Sequence, residues 1–158
     1  MKNITIAVNK AFVYEEVAKT TSYAGDKMVG DDNAYMRIFT TDADQLMLER
    51  FWKEACNVVV GQLKPFIVSV TTNPESSNVQ LNNNFIANLL LSSSFDTSLT
   101  EDISSSMTSF FIAYIVHKWY KFTNKNEADG YLSEATSILG DAMQKIYYRK
   151  KPQRVIPK

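Results

Sequence analysis

The chain is predicted to be mainly α, an antiparallel bundle of three to four helices with an inserted β-hairpin, and three observations predict it. Apolar residues recur at three- and four-residue steps over long stretches, a run rich in β-branched residues interrupts them, and the breaks carry turn residues. An α+β arrangement fits the same pattern. With 158 residues, 45% of them hydrophobic and 22% charged, the composition is that of one globular domain able to bury a single core. Residues 1–148 are read as that domain, with the hairpin near residues 66–95, and residues 149–158 as an extended basic tail.

Taken in order, residues 4–8 alternate apolar with polar or small side chains, the period of a short strand. From Asn9 or Lys10 to about Tyr23, the residues Phe12, Val13, Val17 and Tyr23 suit a helix, which Gly25 is expected to end. Gly30-Asp31-Asp32-Asn33 has the chemistry of a loop, and residues 35–39 that of a brief strand or extended lead-in. Thr41-Asp42-Ala43-Asp44 marks a helix start, because a hydroxyl or carboxylate there accepts from free backbone N–H groups and acids suit the positive end of the helix dipole. Leu48, Phe51, Trp52, Ala55, Val59 and Leu63 then form one apolar face that runs up to Pro65.

Residues 66–71 and 84–95 read as two strands joined across a loop that contains Asn73-Pro74 and Asn82-Asn83. Thr100, followed by Glu101 and Asp102, opens a second long helix in which Ile103, Met107, Phe110, Phe111, Tyr114, Ile115, Trp119 and Phe122 cover a wide arc. So wide an arc needs two neighbours. Asn124-Lys125-Asn126 only reverses the chain, so a further helix starting near Asn126 should lie antiparallel to the second. Its buried stripe is Ala128, Tyr131, Leu132, Ala135, Ile138, Leu139, Ala142 and Ile146, with alanines that permit close approach. Pro152 and Pro157 keep the last ten residues extended.

Composition excludes several classes of function. One cysteine, Cys56, offers no internal disulfide, and the first residues carry neither a long apolar run nor a cleavage site, so a reducing cytoplasm or a particle assembled there is expected. Residues 110–116 and 57–63, the longest apolar stretches, are too short for a bilayer, and no membrane partner is expected. His117 is the only histidine, and no neighbouring Cys or Asp makes it a recognisable base. A hydrogen-bonded helix histidine is the simpler reading. The serines at 92–94 and 104–106 have no base to activate them, and Asp31, Asp32, Asp42 and Asp44 are explained by a turn and a helix cap. The glycines form no phosphate loop. No catalytic residue, metal site or cofactor is predicted, and the chain is read as a non-enzyme. Tyr114, Trp119, Tyr120 and Phe122 are assigned to the core, with some of that surface left for a neighbouring subunit.

One feature calls for a functional account. The formal net charge is zero, but residues 149–158 carry +5 and the remainder −5. Tyr148, Arg149, Lys150, Lys151, Arg154, Val155 and Ile156 form a segment that cannot fold alone but can lie extended on another chain. Val155 and Ile156 suit a strand edge or a pocket, and the cations suit acidic groups or DNA phosphates.

The order of these features resembles the head-tail connector (adaptor) proteins of tailed bacteriophages and prophages. The resemblance rests on the acidic capped helix from Thr41-Asp42-Ala43-Asp44 through Phe51-Trp52-Lys53-Glu54-Ala55 and on a helix ending Lys118-Trp119-Tyr120. It rests also on the polar break Asn124-Lys125-Asn126-Glu127-Ala128 and the basic, proline-containing end. It covers residues 41–158 outside the hairpin, while residues 1–40 exceed the family's usual lead-in. It implies a virion protein at the head-tail junction, a ring of identical copies docked beneath the portal protein, meeting a tail or stopper protein and passing DNA without sequence specificity. It also implies that the C-terminal segment binds the portal or a neighbouring subunit, and that the insertion, residues 66–95, touches an adjacent subunit or the channel. Another phage morphogenesis protein, such as a tail-completion or minor head protein, is the first alternative. A nucleic-acid-binding regulator using the basic tail is the second, opposed by the anionic body.

Overall fold

The computed structural model describes residues 1–27, 45–71 and 84–149. Its elements are β1 (Lys2–Val8), α1 (Lys10–Lys27), α2 (Gln45–Leu63), β2 (Ile67–Thr71), β3 (Phe85–Leu91), a 3-10 turn (Thr97–Leu99), α3 (Thr100–Thr123) and α4 (Lys125–Tyr147). The fold is mainly helical, with the expected hairpin in place. β2 and β3 are its antiparallel strands, and β1 adds to the other side of β3, giving a three-stranded sheet of order β1-β3-β2. The alternation seen at residues 4–8 therefore belongs to the same sheet as the hairpin, which the local pattern alone does not reveal.

The sheet has one buried face. Ile4, Ile6 and Val8 point inward from β1, and Phe85, Ala87, Leu89 and Leu91 from β3, as the two-residue period requires. On the outer face Thr5, Asn88 and Ser69 lie side by side across the three strands. The Thr5 hydroxyl donates to Asn88 Oδ1 at 2.8 Å, and Asn88 Nδ2 donates to Ser69 Oγ at 2.9 Å. β2 carries an irregularity between Ile67 and Ser69, where Val68 is the extra residue and is exposed.

Asn9 starts α1 by accepting from the backbone N–H of Phe12 at 3.0 Å, while Asn84 accepts from that of Lys10 at 3.1 Å. The helix then runs through Gly25 to Lys27, past the expected stop. A glycine weakens a helix interior but ends a helix only where the backbone turns left-handed. Val13 and Val17 are buried, whereas Phe12, one position round from Val13, is 48% exposed. The loop and strand expected at 30–39 and the cap expected at 41–44 lie outside the described residues. From Gln45 onward α2 buries Leu48, Phe51, Trp52, Ala55, Val59 and Leu63, the face predicted for it.

α3 packs against α1, α2, α4 and β1, which accounts for its wide apolar arc. Phe111 is the hub, with the Trp52 ring of α2 at 4.6 Å and the Phe85 ring of β3 at 5.6 Å between centroids. Burying side chains of this size stabilises the fold by about 1.5–3 kcal/mol each. Trp119 and Tyr120 are buried as expected, but Phe122 is 64% exposed and rests one ring face on Phe51. It falls in the last turn of α3. Thr100 is not the cap. Its hydroxyl instead donates to the Thr97 carbonyl, and Asp96 caps the preceding 3-10 turn by accepting from Ser98 N–H.

α4 runs antiparallel to α3, since Ala128 meets His117 at one end and Lys145 meets Asp102 at the other. Ala128, Ala135, Leu139, Ala142 and Ile146 are buried along the contact. Tyr131 and Ile138 are half-buried, and Leu132 is exposed, because α4 packs mainly on α3 and so buries a narrower stripe than the eight residues predicted.

Candidate functional site

The polar groups of the interior are committed to structure. His117 Nδ1 lies 2.8 Å from the Ala128 carbonyl, which can only accept, so Nδ1 carries the proton and clamps the start of α4 to α3. Cys56 is buried, and burial pushes its thiol up to about 12, so it is protonated at neutral pH and a poor nucleophile. The Lys10 ammonium, also buried, pairs with Glu49, which accepts from the Tyr14 hydroxyl at 3.1 Å. The Lys10 ammonium also sits over the rings of Tyr14 and Trp52, at 5.5 and 5.8 Å. Burial first, and the Glu49 carboxylate next, push the Tyr14 phenol far above its ordinary value. This cluster welds α1 to α2. Its members are far apart in sequence, and a lysine next to an N-cap asparagine reads as a surface residue, so no local signal discloses it. Among the described residues no three of His, Cys, Asp or Glu converge as a metal site requires, and no helix is long and apolar enough to cross a membrane.

Of the predicted site residues, Tyr148 and Arg149 are described, and both lie at the root of the tail. α4 ends at Tyr147, after which Tyr148 is extended and Arg149 forms an antiparallel bridge with Phe95. Arg149 Nη1 donates to the carbonyls of Ile146 and Tyr148 at 2.9 and 3.1 Å, closing the helix C-terminus. Phe95 itself is buried, and its carbonyl accepts from Lys2 Nζ at 2.7 Å. The first residue of the tail is thus fixed to the body beside the start of β1. Tyr147 and Tyr148 are half exposed there, Tyr147 with an edge-on contact to Phe66. An open depression of 460 Å³ beside Tyr148 is lined by Asp96, Leu99, Asp141, Gln144 and Lys145. Lys145 reaches across it to Asp102 at 2.9 Å and donates to Ser106 Oγ at 3.3 Å. Lys150, Lys151, Arg154, Val155 and Ile156 lie outside the described residues.

The two serine groups separate. Ser92 and Ser94 close a turn after β3, hydroxyl to hydroxyl at 2.9 Å. Ser104 and Ser105 line a larger groove of 770 Å³ between the side of β1 away from β3, the start of α1 and the outer face of α3. Sequence reasoning missed this groove; the signal for it was the run of small polar residues on one face of α3, between the buried Ile103, Met107 and Phe110.

Compared with known proteins, the chain matches no family model, no curated protein and no solved structure.

Proposed function

We propose that this chain is a structural protein of a tailed-phage particle, a head-tail connector whose copies form a ring between portal and tail. In this reading the helical body is the building block, and the basic C-terminal segment is the arm that holds the portal or a neighbouring copy. The observation that carries the reading is the root of that arm: Arg149 is bridged to Phe95 beside exposed Tyr147 and Tyr148, and four more cations follow it in the sequence of a chain whose first 148 residues carry −5. A ring repeats each modest contact once per subunit, so geometry and avidity do the work and no bond is made or broken. DNA passing through such a ring meets backbone charge alone, without base readout.

The free protein is expected to be monomeric and to assemble on a portal ring, because ordering the arm costs conformational entropy that only the docked surface offsets. Imaging the protein mixed with a candidate portal ring tests this directly. A closed ring of this chain beneath the portal supports the proposal, and removal of residues 150–158 should abolish it. A stable closed dimer at every concentration, or tight specific DNA binding by the isolated monomer at physiological salt, would favour the competing readings.

A further inference from the structure

The two edges of the sheet are treated differently. β2 is interrupted at Val68, which breaks the ladder and turns that edge away from further pairing. β1 has no proline and no bulge, its one charged residue, Lys2, stands at its first position with Nζ on the Phe95 carbonyl, and it pairs among the described residues only with β3 through an unbroken register from Lys2↔Leu91 to Val8↔Phe85. Its other side faces the 770 Å³ groove, where Thr5 and Ala7 lie opposite the small polar face of α3. Phe12 and Ile112 supply an apolar spot, Glu16 and Glu101 supply negative charge, and no basic residue among the described residues lines it. An unblunted strand edge beside an acidic groove has the recognition chemistry of an added extended strand carrying cations and one or two apolar side chains.

We infer that this edge takes the C-terminal arm of a second copy, residues 153–156 pairing along β1 and the flanking cations meeting Glu16 and Glu101. The inference rests on the ring reading above and supplies the contact between its neighbours. Gln153-Arg154-Val155-Ile156 is free of proline and lies between Pro152 and Pro157, whose missing N–H groups end any ladder, so the added strand is short and self-limiting. The four residues 153–156 span about 13 Å when extended and the seven residues of β1 about 23 Å, so the added strand covers roughly half of the edge. The charges match as well, +5 on residues 149–158 against two carboxylates in the groove, of which Glu16 already shares Lys19 with Glu15. Donation to a second copy converts this contact into a head-to-tail interface, the kind that closes rings.

The test uses full-length chains. Ala7→Cys and Val155→Cys proteins are mixed at high concentration and treated with a short bis-maleimide, which tolerates a shift of register and traps contacts that the monomeric free protein makes only transiently; Cys56 is buried and protonated and does not compete. A covalent dimer with one chain of each kind is expected, and Glu16→Lys with Glu101→Lys should lower its yield roughly ten-fold, as attraction becomes repulsion. Circular dichroism of the charge variants verifies that they are folded. No more dimer from the mixture than from either protein alone would overturn the inference, and so would a doubly substituted chain that links only to itself as a monomer. Portal-bound rings that form without this link would overturn the inference and leave the ring reading standing, whereas the link without rings on any portal would do the reverse.

Discussion

Lys10 shows how much a single buried polar residue decides here. Its side chain is 4% exposed and pairs with that of Glu49 at 16%, and the Tyr14 hydroxyl completes the set. Substituting Lys10→Met leaves a carboxylate in a largely dry site, and the expected loss is about 3 kcal/mol. The double variant Lys10→Met/Glu49→Leu should lose less than the single one, since no uncompensated charge remains. Urea denaturation with an unchanged m value measures both; a single variant within experimental error of the parent would mean that water reaches Glu49. His117 is held by one hydrogen bond and by packing. His117→Ala removes both the donor to Ala128 and the ring volume, with an expected cost of about 2 kcal/mol in thermal unfolding. In the sequence Lys10 looks like a surface residue and His117 like a hydrogen-bonded helix histidine without a named partner, because partners 39 and 11 positions away carry no local signature.

The elements differ in how far their sequence pattern survives packing. The faces of α2 and α3 were legible because each is covered along most of its length, so periodicity and burial coincide. α4 was over-read, and Leu132 shows why: an apolar residue at helical spacing is buried only if a neighbour stands over it. The close contact of α3 with α4 depends on Ala128, Ala135 and Ala142. Ala142→Leu forces extra volume into that seam and is expected to cost about 2 kcal/mol, while Ser133→Leu, on the exposed face of α4, should change stability by less than about 0.5 kcal/mol. A denaturation series on the two variants separates seam from surface. Equal effects would mean that α4 can slide to accommodate the larger side chain. The tail root belongs to this scale too: its basic and proline residues stood out in the sequence, whereas the bridge between Arg149 and Phe95, on segments far apart in the chain, did not.

At the scale of the molecule, the interior holds a thiol and several phenols in their protonated forms. Burial raises Cys56 from 9.0 to about 12, and burial is also the largest cause that raises Tyr14, Tyr120 and Tyr131 above 10.0. Above these ordinary values the unfolded chain has lost protons that the folded protein keeps, so the unfolded state binds fewer and stability falls as pH rises. The contribution is complete below about pH 8.5 and is lost progressively through the alkaline range. Thermal unfolding midpoints should therefore decline between pH 8.5 and pH 11, and Tyr14→Phe should flatten the decline as well as shift it. A profile that stays level to pH 11 would show these groups open to solvent. The anionic body and cationic arm act at this scale as well, and any assembly they drive should weaken with added salt.

Much of the fold could be read directly from local pattern. The helical faces, the hairpin, the reversal at Asn124 and the cationic arm are properties of neighbouring residues, and a period of 3.6 or 2 or a cluster of charge expresses them without reference to the rest of the chain. Tertiary structure alone decided that β1 joins the hairpin, that Lys10 is buried, that Phe12 and Phe122 are not, and that the side of β1 away from β3 lies beside an acidic groove. Each of these depends on which distant segment comes to stand over a residue, and burial, unlike periodicity, is a property of the pair.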